Sequence, residues 1–436
     1  MIERLLMISF LIALLGFKIR HRVLPRVISI IRLPALYKHY LLKESVSYAY
    51  DLHNGVSFSL AFDGYSAFLT LLIIIILPLV MLVDDRLLIG EALLAESSLI
   101  GLFLSRDAVL MMIFREISLV AVFLMVLQTA SKRTSVMYLA FAQAGALLAL
   151  VTIFYAFYNV GSSSFEALKA YKMPKLVALS AVIGFGIEVP LFPLHTRFIR
   201  TIRESSISTA IVLMFRNGIF GIFRLFYLFP IIGSLDKVFF YRGTISVFYA
   251  YLSAFGASKV RELIAFLAMG HMSFARIALP KLGVATYGAL YYMSIHPLIL
   301  SPLVMIYVAM KRLFDTEDLL EIRSLQHRPV FSILLALSLL LAASVPVSAG
   351  FVAEILTIIG MMSYGKIAII PIFAPVILMS VAVYYIREIL YGSKSSEASE
   401  IDKSLAIVIG IAIALAFIIV LRSLPINEIK EVVMHV

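Results

Sequence analysis

The stretch GFGIEVPLFPLH (184–195) sets a carboxylate, two prolines and a histidine at the end of an apolar run. A charge at hydrocarbon depth costs several kcal/mol, about 2.5–3.5 even on insertion scales, so Glu188 must face protein or water. Pro190 and Pro193 each remove a backbone donor, and a helix broken at depth survives only where neighbours or a cavity satisfy the freed carbonyls. A break beside a titratable group has the form of an ion-path site. The same residues also fit a proline kink whose glutamate is satisfied by a neighbouring arginine, and this stretch alone does not separate the two.

Further ionisable residues fall inside apolar runs. Glu116 follows Arg115 in MMIFREISLV, Arg216 lies in the run after the break, and Glu354 follows a second Pro/Gly interruption, SVPVSAG (344–350). Glutamates can cycle between charge states as burial and nearby cations compete. A guanidinium does not deprotonate, so Arg216 suits a fixed charge or a static pair and not a proton carrier. His195, His271 and His296 titrate near neutrality and suit bridges between carboxylates or plain hydrogen-bonded packing. Glu91 and Glu96 read as near a span end, facing the cytoplasm or a partner. No metal-ligand spacing, phosphate loop or nucleophile–base pattern appears, so no metal, cofactor or catalytic residue is expected in this chain.

The elements that carry these residues are membrane helices. The chain is 62% hydrophobic and 14% charged over 436 residues, against roughly 45–50% and 25% in soluble domains. At about 20 apolar residues per span, runs near 2–17, 65–83, 87–104, 107–129, 134–158, 174–194, 206–230, 238–257, 262–279, 284–310, 330–362, 366–391 and 404–422 predict an all-α polytopic bundle of about 13–14 transmembrane helices, treated as one domain over 1–436. The run 330–362 is too long for one straight helix, and its Pro/Gly break makes it the second discontinuous helix. Segment 23–43, with Arg26, Arg32 and Lys38 on an apolar background, reads as an interfacial amphipathic helix or a poor span. Residues 393–403 read as a polar connector. No cysteine is present, which excludes thiol chemistry, Cys-ligated iron–sulfur clusters and disulfides in this chain.

Lys132 and Arg133, then Arg197, Arg200 and Arg203, then Lys259 and Arg261, then Lys311, Arg312, Arg323 and Arg328 fall in alternate loops. The positive-inside rule makes those loops cytoplasmic in a multi-pass cell-membrane protein. The net charge of +11 then reflects basic loops, not nucleic-acid binding.

Seven segments in order resemble the antiporter-like membrane subunits shared by respiratory complex I, Mrp-type cation/proton antiporters and archaeal membrane-bound hydrogenase-related complexes. FDGYSAFL (62–69) looks like that family's D-G-L-S entry to an early span. SRDAVLMMIFREISL (105–119) is similar to its segment ending F-W-E, which puts Glu116 on the family glutamate. IEVPLFPLHTRF (187–198) resembles K-x-P-x-x-P-x-H-x-W-L. FRNGIFGIFRL (215–225) resembles L-K-x-x-x-Y-G-x-x-R-F, with Arg224 on the family arginine. KVRELIAFLAMGHMSF (259–274) resembles D-I-K-R-L-L-A-Y-S-S-x-x-H-M-G, VPVSAGFVAEILTI (345–358) resembles P-x-x-G-F-x-G-E with Glu354 matched, and VYYIREILYG (383–392) resembles a following Y-Y-x-R segment.

The resemblance implies an inverted-repeat antiporter-like fold. It also implies an ion axis through Glu116, Glu188, His195, Arg216, His271 and Glu354, with Arg115, Arg224, Arg261 and His296 in support. Partners would be other membrane subunits, lipid, and H⁺ or Na⁺; any enzymatic label, such as an oxidoreductase, would belong to the assembly. The departures matter as much. Glu188 and Arg216 stand where the family has lysines, Lys259 and Arg261 replace the D-I-K acid and lysine, and Arg115 and Arg197 stand at tryptophan positions. Two glutamates then occupy the place of a Glu/Lys pair, with Arg115 or Arg216 available to neutralise them. That leaves two principal readings, an ion-translocating subunit with Arg216 as a fixed gate and a diverged structural paralogue that connects modules. A stand-alone transporter is the weaker third.

Overall fold

A computed structural model describes residues 2–17, 47–86, 88–216, 219–229, 236–280, 284–319, 321–322, 325, 328–391 and 400–421. In chain order the elements are α1 (Ile2–Gly16), β1 (Ser47–His53), β2 (Val56–Ala61), α2 (Gly64–Val83), α3 (Ile89–Leu104), α4 (Ala108–Thr129), α5 (Lys132–Val160), α6 (Phe165–Lys169), α7 (Lys175–Glu188), α8 (Thr196–Glu204), α9 (Ile207–Phe215), α10 (Ile219–Leu228), α11 (Asp236–Phe255), α12 (Val260–Ala278), α13 (Val284–Phe314), α14 (Pro329–Ala342), α15 (Ala349–Met361), a 3₁₀ stretch (Met362–Ala368), α16 (Ile369–Ile372), α17 (Ala374–Tyr391) and α18 (Lys403–Leu421). Segment 23–43 and most of the connector 393–403 lie outside the described residues.

Among the described residues, seven helical stretches are long and apolar enough to cross a membrane, among them α2, α4, α5 and α13. Their outer faces carry large apolar side chains in the open. Val136, Leu147, Val151 and Phe154 of α5 are each at least half exposed, a surface that water disfavours and lipid accepts. The helical, polytopic expectation holds. One hairpin adds to it: β1 and β2 pair antiparallel from Ser47↔Ala61 to His53↔Val56. Asn54 (φ 49°) and Gly55 (φ 78°) form its two-residue turn, the left-handed pair that tight hairpins demand.

Both expected interruptions are present. The first ends α7 at Glu188 and α8 starts at Thr196; the second separates α14 from α15. At 14 residues each, α7 and α14 span about 21 Å, short of the ~30 Å hydrocarbon core. In the run 206–230, α9 has Arg216 as its C-cap and α10 starts at Ile219; residues 217–218 between them lie outside the described residues.

The chain forms two compact units, one built on Met1–Pro190 with Glu204–Lys237, the other on Leu191–Arg203 with Val238–Ile426. Each unit seats its half of a broken helix by contact between small residues. In the first, a Cβ on Gly184 would stand 2.6 Å from the Gly145 carbonyl oxygen, and the reverse substitution meets the same distance. In the second, a Cβ on Gly288 would meet the Thr357 nitrogen at 2.5 Å and one on Gly360 the Ala285 Cα at 2.2 Å. Such close backbone approach is how membrane helices associate without a hydrophobic drive. It fixes α7 on α5 and α15 on α13, and with them Glu188 and Glu354.

Candidate functional site

The first unit holds a charge-balanced cluster. Glu188, at the last turn of α7, puts Oε1 3.1 Å from Nη2 of Arg115 and 3.1 Å from Nη2 of Arg216. Arg115 also reaches Oε1 of the adjacent Glu116 at 3.1 Å. The Arg115 guanidinium lies 4.9 Å from the centre of the Phe185 ring, one turn before Glu188. Arg216 Nε donates to the Ser118 hydroxyl at 3.0 Å. Arg115, Glu188 and Arg216 have side chains 2–3% exposed, whereas Glu116 is 30% exposed. Two cations and two carboxylates thus share one buried cluster. Neutralising Glu188 would strand Arg216 and leave Arg115 with Glu116 alone, a cost of about 3–5 kcal/mol when a buried pair is broken. Of the predicted site residues, Glu116, Glu188, Arg216 and Arg115 are brought together here, and Arg115 is the hub.

Arg224 sits elsewhere in the same unit. Its Nη2 is 2.8 Å from Oδ2 of Asp63, which Arg106 also meets at 2.9 Å. Asp63 is the N-cap of α2, in a reciprocal capping box with Ser66, so Arg224 pins a helix start. Burial works to raise the Asp63 carboxyl, but Arg224 and then Arg106 outweigh it and hold the group well below the usual carboxylate range. Glu91 and Glu96 differ from expectation. Both are buried, and Glu91 accepts from the Gln128 amide at 2.6 Å, because α3 packs against α4 along its length.

In the second unit the carboxylate is differently housed. Glu354, 4% exposed, accepts from the Tyr292 hydroxyl at 3.0 Å, and Tyr292 stands 3.5 Å from the Ser344 hydroxyl. Among the described residues no cation forms an ion pair with it. The interruption beside it is strained: Ser344 (φ 55°) and the β-branched Val347 (φ 75°) are both left-handed, each worth roughly 1–3 kcal/mol. Ser348 caps α15 by accepting from the Phe351 amide.

Two histidines serve helix breaks in this unit. His271 Nε2 lies 3.0 Å from the carbonyl of Ala342, the last residue of α14, whose carbonyl has no intrahelical donor. Pro297 lacks the N–H that would reach Met293, and His296 Nδ1 takes that carbonyl at 2.8 Å. Carbonyls only accept, so both contacting nitrogens carry the hydrogen. Nδ1 of His271 and Nε2 of His296 are therefore bare acceptors, buried and without a hydrogen-bond partner among the described residues. The His271 and Tyr292 rings are 5.3 Å apart. His195 joins its Nε2 to the Tyr249 hydroxyl at 3.1 Å and lies on the Phe192 ring. Arg261 donates to the Ile202 carbonyl and lies 4.9 Å from the Tyr307 ring centre, tying α8 to α12 and α13.

Residues 105–380 match the family described as NADH:quinone oxidoreductase/Mrp antiporter, transmembrane. The chain belongs to this family. It is 29% identical to NADH-quinone oxidoreductase subunit 13 of Thermus thermophilus over 70% of this chain and 69% of that protein. Its fold is similar to a chain of Thermus thermophilus respiratory complex I (TM-score 0.87, 21% identity, 99% of both chains). It is also similar to one of the Mrp complex from Dietzia sp. (TM-score 0.84, 14% identity, 98% of this chain and 95% of that one). As an antiporter-family protein it is a multi-pass membrane subunit.

Sequence reasoning missed Ser118, Tyr292, Ser344 and Tyr249, hydroxyls whose roles depend on partners on other helices. The hairpin had a readable signal, Asn54–Gly55 between alternating strands.

Proposed function

We propose that the chain is the ion-translocating membrane subunit of a complex I-related or Mrp-type assembly in the cell membrane, coupled through partner subunits to redox or ion-exchange chemistry elsewhere. The observation that carries this reading is Glu354: a buried carboxylate at a helix interruption, held by hydroxyls and free of any paired cation among the described residues. Two bare imidazole nitrogens in the same unit supply further proton acceptors. Arg115, Glu188 and Arg216 act as a fixed charge gate, since Glu188 loses its charge only by leaving the buried Arg216 unpaired and Arg115 with Glu116 alone. Glu116, the part-exposed member of the cluster, is the one placed to exchange with solvent.

The test is ion translocation by the purified assembly reconstituted into vesicles. Glu354→Gln is expected to lower coupled translocation at least about tenfold while the assembly persists. Unchanged coupling in both Glu354→Gln and Glu116→Gln would sink the proposal.

A further inference from the structure

A buried cation far along the chain from either cluster has no counter-charge among the described residues. Arg276, in the last turn of α12, is 3% exposed, and its Nε and Nη1 have no hydrogen-bond partner among the described residues. Its guanidinium lies 4.6 Å from the centre of the Phe239 ring of α11. Among the described residues no carboxylate pairs with it. Nearby backbone carbonyls already accept from other donors. The Ile277 carbonyl accepts from the Tyr364 hydroxyl at 3.2 Å, and the Leu279 carbonyl from the Thr286 hydroxyl at 3.2 Å.

Further cations stand at the same end of these helices. A Cβ on Gly243 would meet the Ile277 side chain at 2.5 Å and the Ser273 carbonyl at 3.1 Å, so α11 and α12 touch at this level. Arg242, the residue before Gly243, is exposed. The Phe240 and Tyr364 ring centres are 4.5 Å apart, which brings the 3₁₀ stretch with its exposed Lys366 to this end as well. Exposed apolar and aromatic side chains flank the cations: Val238 and Tyr241 on α11, Ile369 and Ile370 on α16.

A guanidinium stacked on an aromatic ring, with no carboxylate paired to it among the described residues, matches a phosphate oxygen. Exposed cations around it and apolar side chains beside it match a headgroup above acyl chains. We propose that this end of the second unit binds phosphate in the form of an anionic phospholipid headgroup, with Arg276 as the inner ligand and Arg242 and Lys366 as the outer ones. The counter-charge that Arg276 lacks among the described residues then comes from lipid.

The purified, delipidated assembly is titrated with phosphatidylglycerol, and retained lipid is counted by native mass spectrometry. Arg276→Gln is expected to weaken retention about tenfold, the loss of a charge-assisted pair, and the double variant Arg242→Gln/Lys366→Gln to weaken it by a smaller factor. The double variant changes only exposed side chains, so it decides the question even where Arg276→Gln fails to assemble. Retention unchanged in the assembled variants would overturn the proposal. Inorganic phosphate that displaces the lipid at equal concentration would overturn the lipid assignment and leave a soluble-anion site.

Discussion

Glu188 and Glu354 are each a buried carboxylate beside a helix interruption seated by paired small residues, one before its break and one after it, yet their surroundings are opposite. Glu188 lies between two guanidiniums at 3.1 Å each. Glu354 meets a tyrosine hydroxyl, in a unit whose histidines leave two acceptor nitrogens bare. Coulomb attraction in a poorly screened interior makes the first carboxylate a structural charge, whereas the second loses only hydrogen bonds when it takes up a proton. One fold thus holds one locked and one exchangeable carboxylate, and the partners decide which is which. Asp63, between Arg224 and Arg106, repeats the locked arrangement at a more exposed place.

The largest effect is expected where the lock is opened on one side. Glu188→Gln strands the buried Arg216 and leaves Arg115 with Glu116 alone, and should cost about 3–5 kcal/mol of stability. Adding Arg216→Gln should recover part of that loss, which thermal unfolding of the four members of the cycle would measure. Equal, additive losses would break the comparison. His296→Phe sharpens the other side. It orphans the Met293 carbonyl freed by Pro297 and should cost about 1–3 kcal/mol; Pro297→Ala in the same chain restores a backbone donor and should return most of it. The smallest effect concerns Asp63. Its folded carboxyl is held below the usual range, so its contribution is present above the unfolded value near 4 and is lost as pH falls below it. Asp63→Asn should therefore flatten the decline of stability with acid below about pH 4 in a pH series of unfolding midpoints.

Much of this was legible in the sequence, because prolines, glycines and charges in apolar runs carry their meaning locally. Both interruptions, the helical class and the family follow from such signals. The partner sets do not. Arg115 reads as a support in sequence, and only packing of α4 against its neighbours shows that it joins Glu116 to Glu188, 72 positions apart in numbering. Glu91 and Glu96 read as span-end charges because no local pattern reveals that α3 is enclosed along its length. His296 reads as a titrating group, while its Nδ1 answers a backbone vacancy made by the next residue.

The central claim is that Glu354, and not Glu188, gains and loses a proton as ions move. Infrared difference spectroscopy of the reconstituted assembly under turnover reads carboxyl protonation directly. The account predicts a protonated-carboxyl band that disappears in Glu354→Gln and persists when Glu188 and Arg216 are both replaced by glutamine. A band that survives Glu354→Gln and vanishes in the Glu188/Arg216 double variant would contradict it.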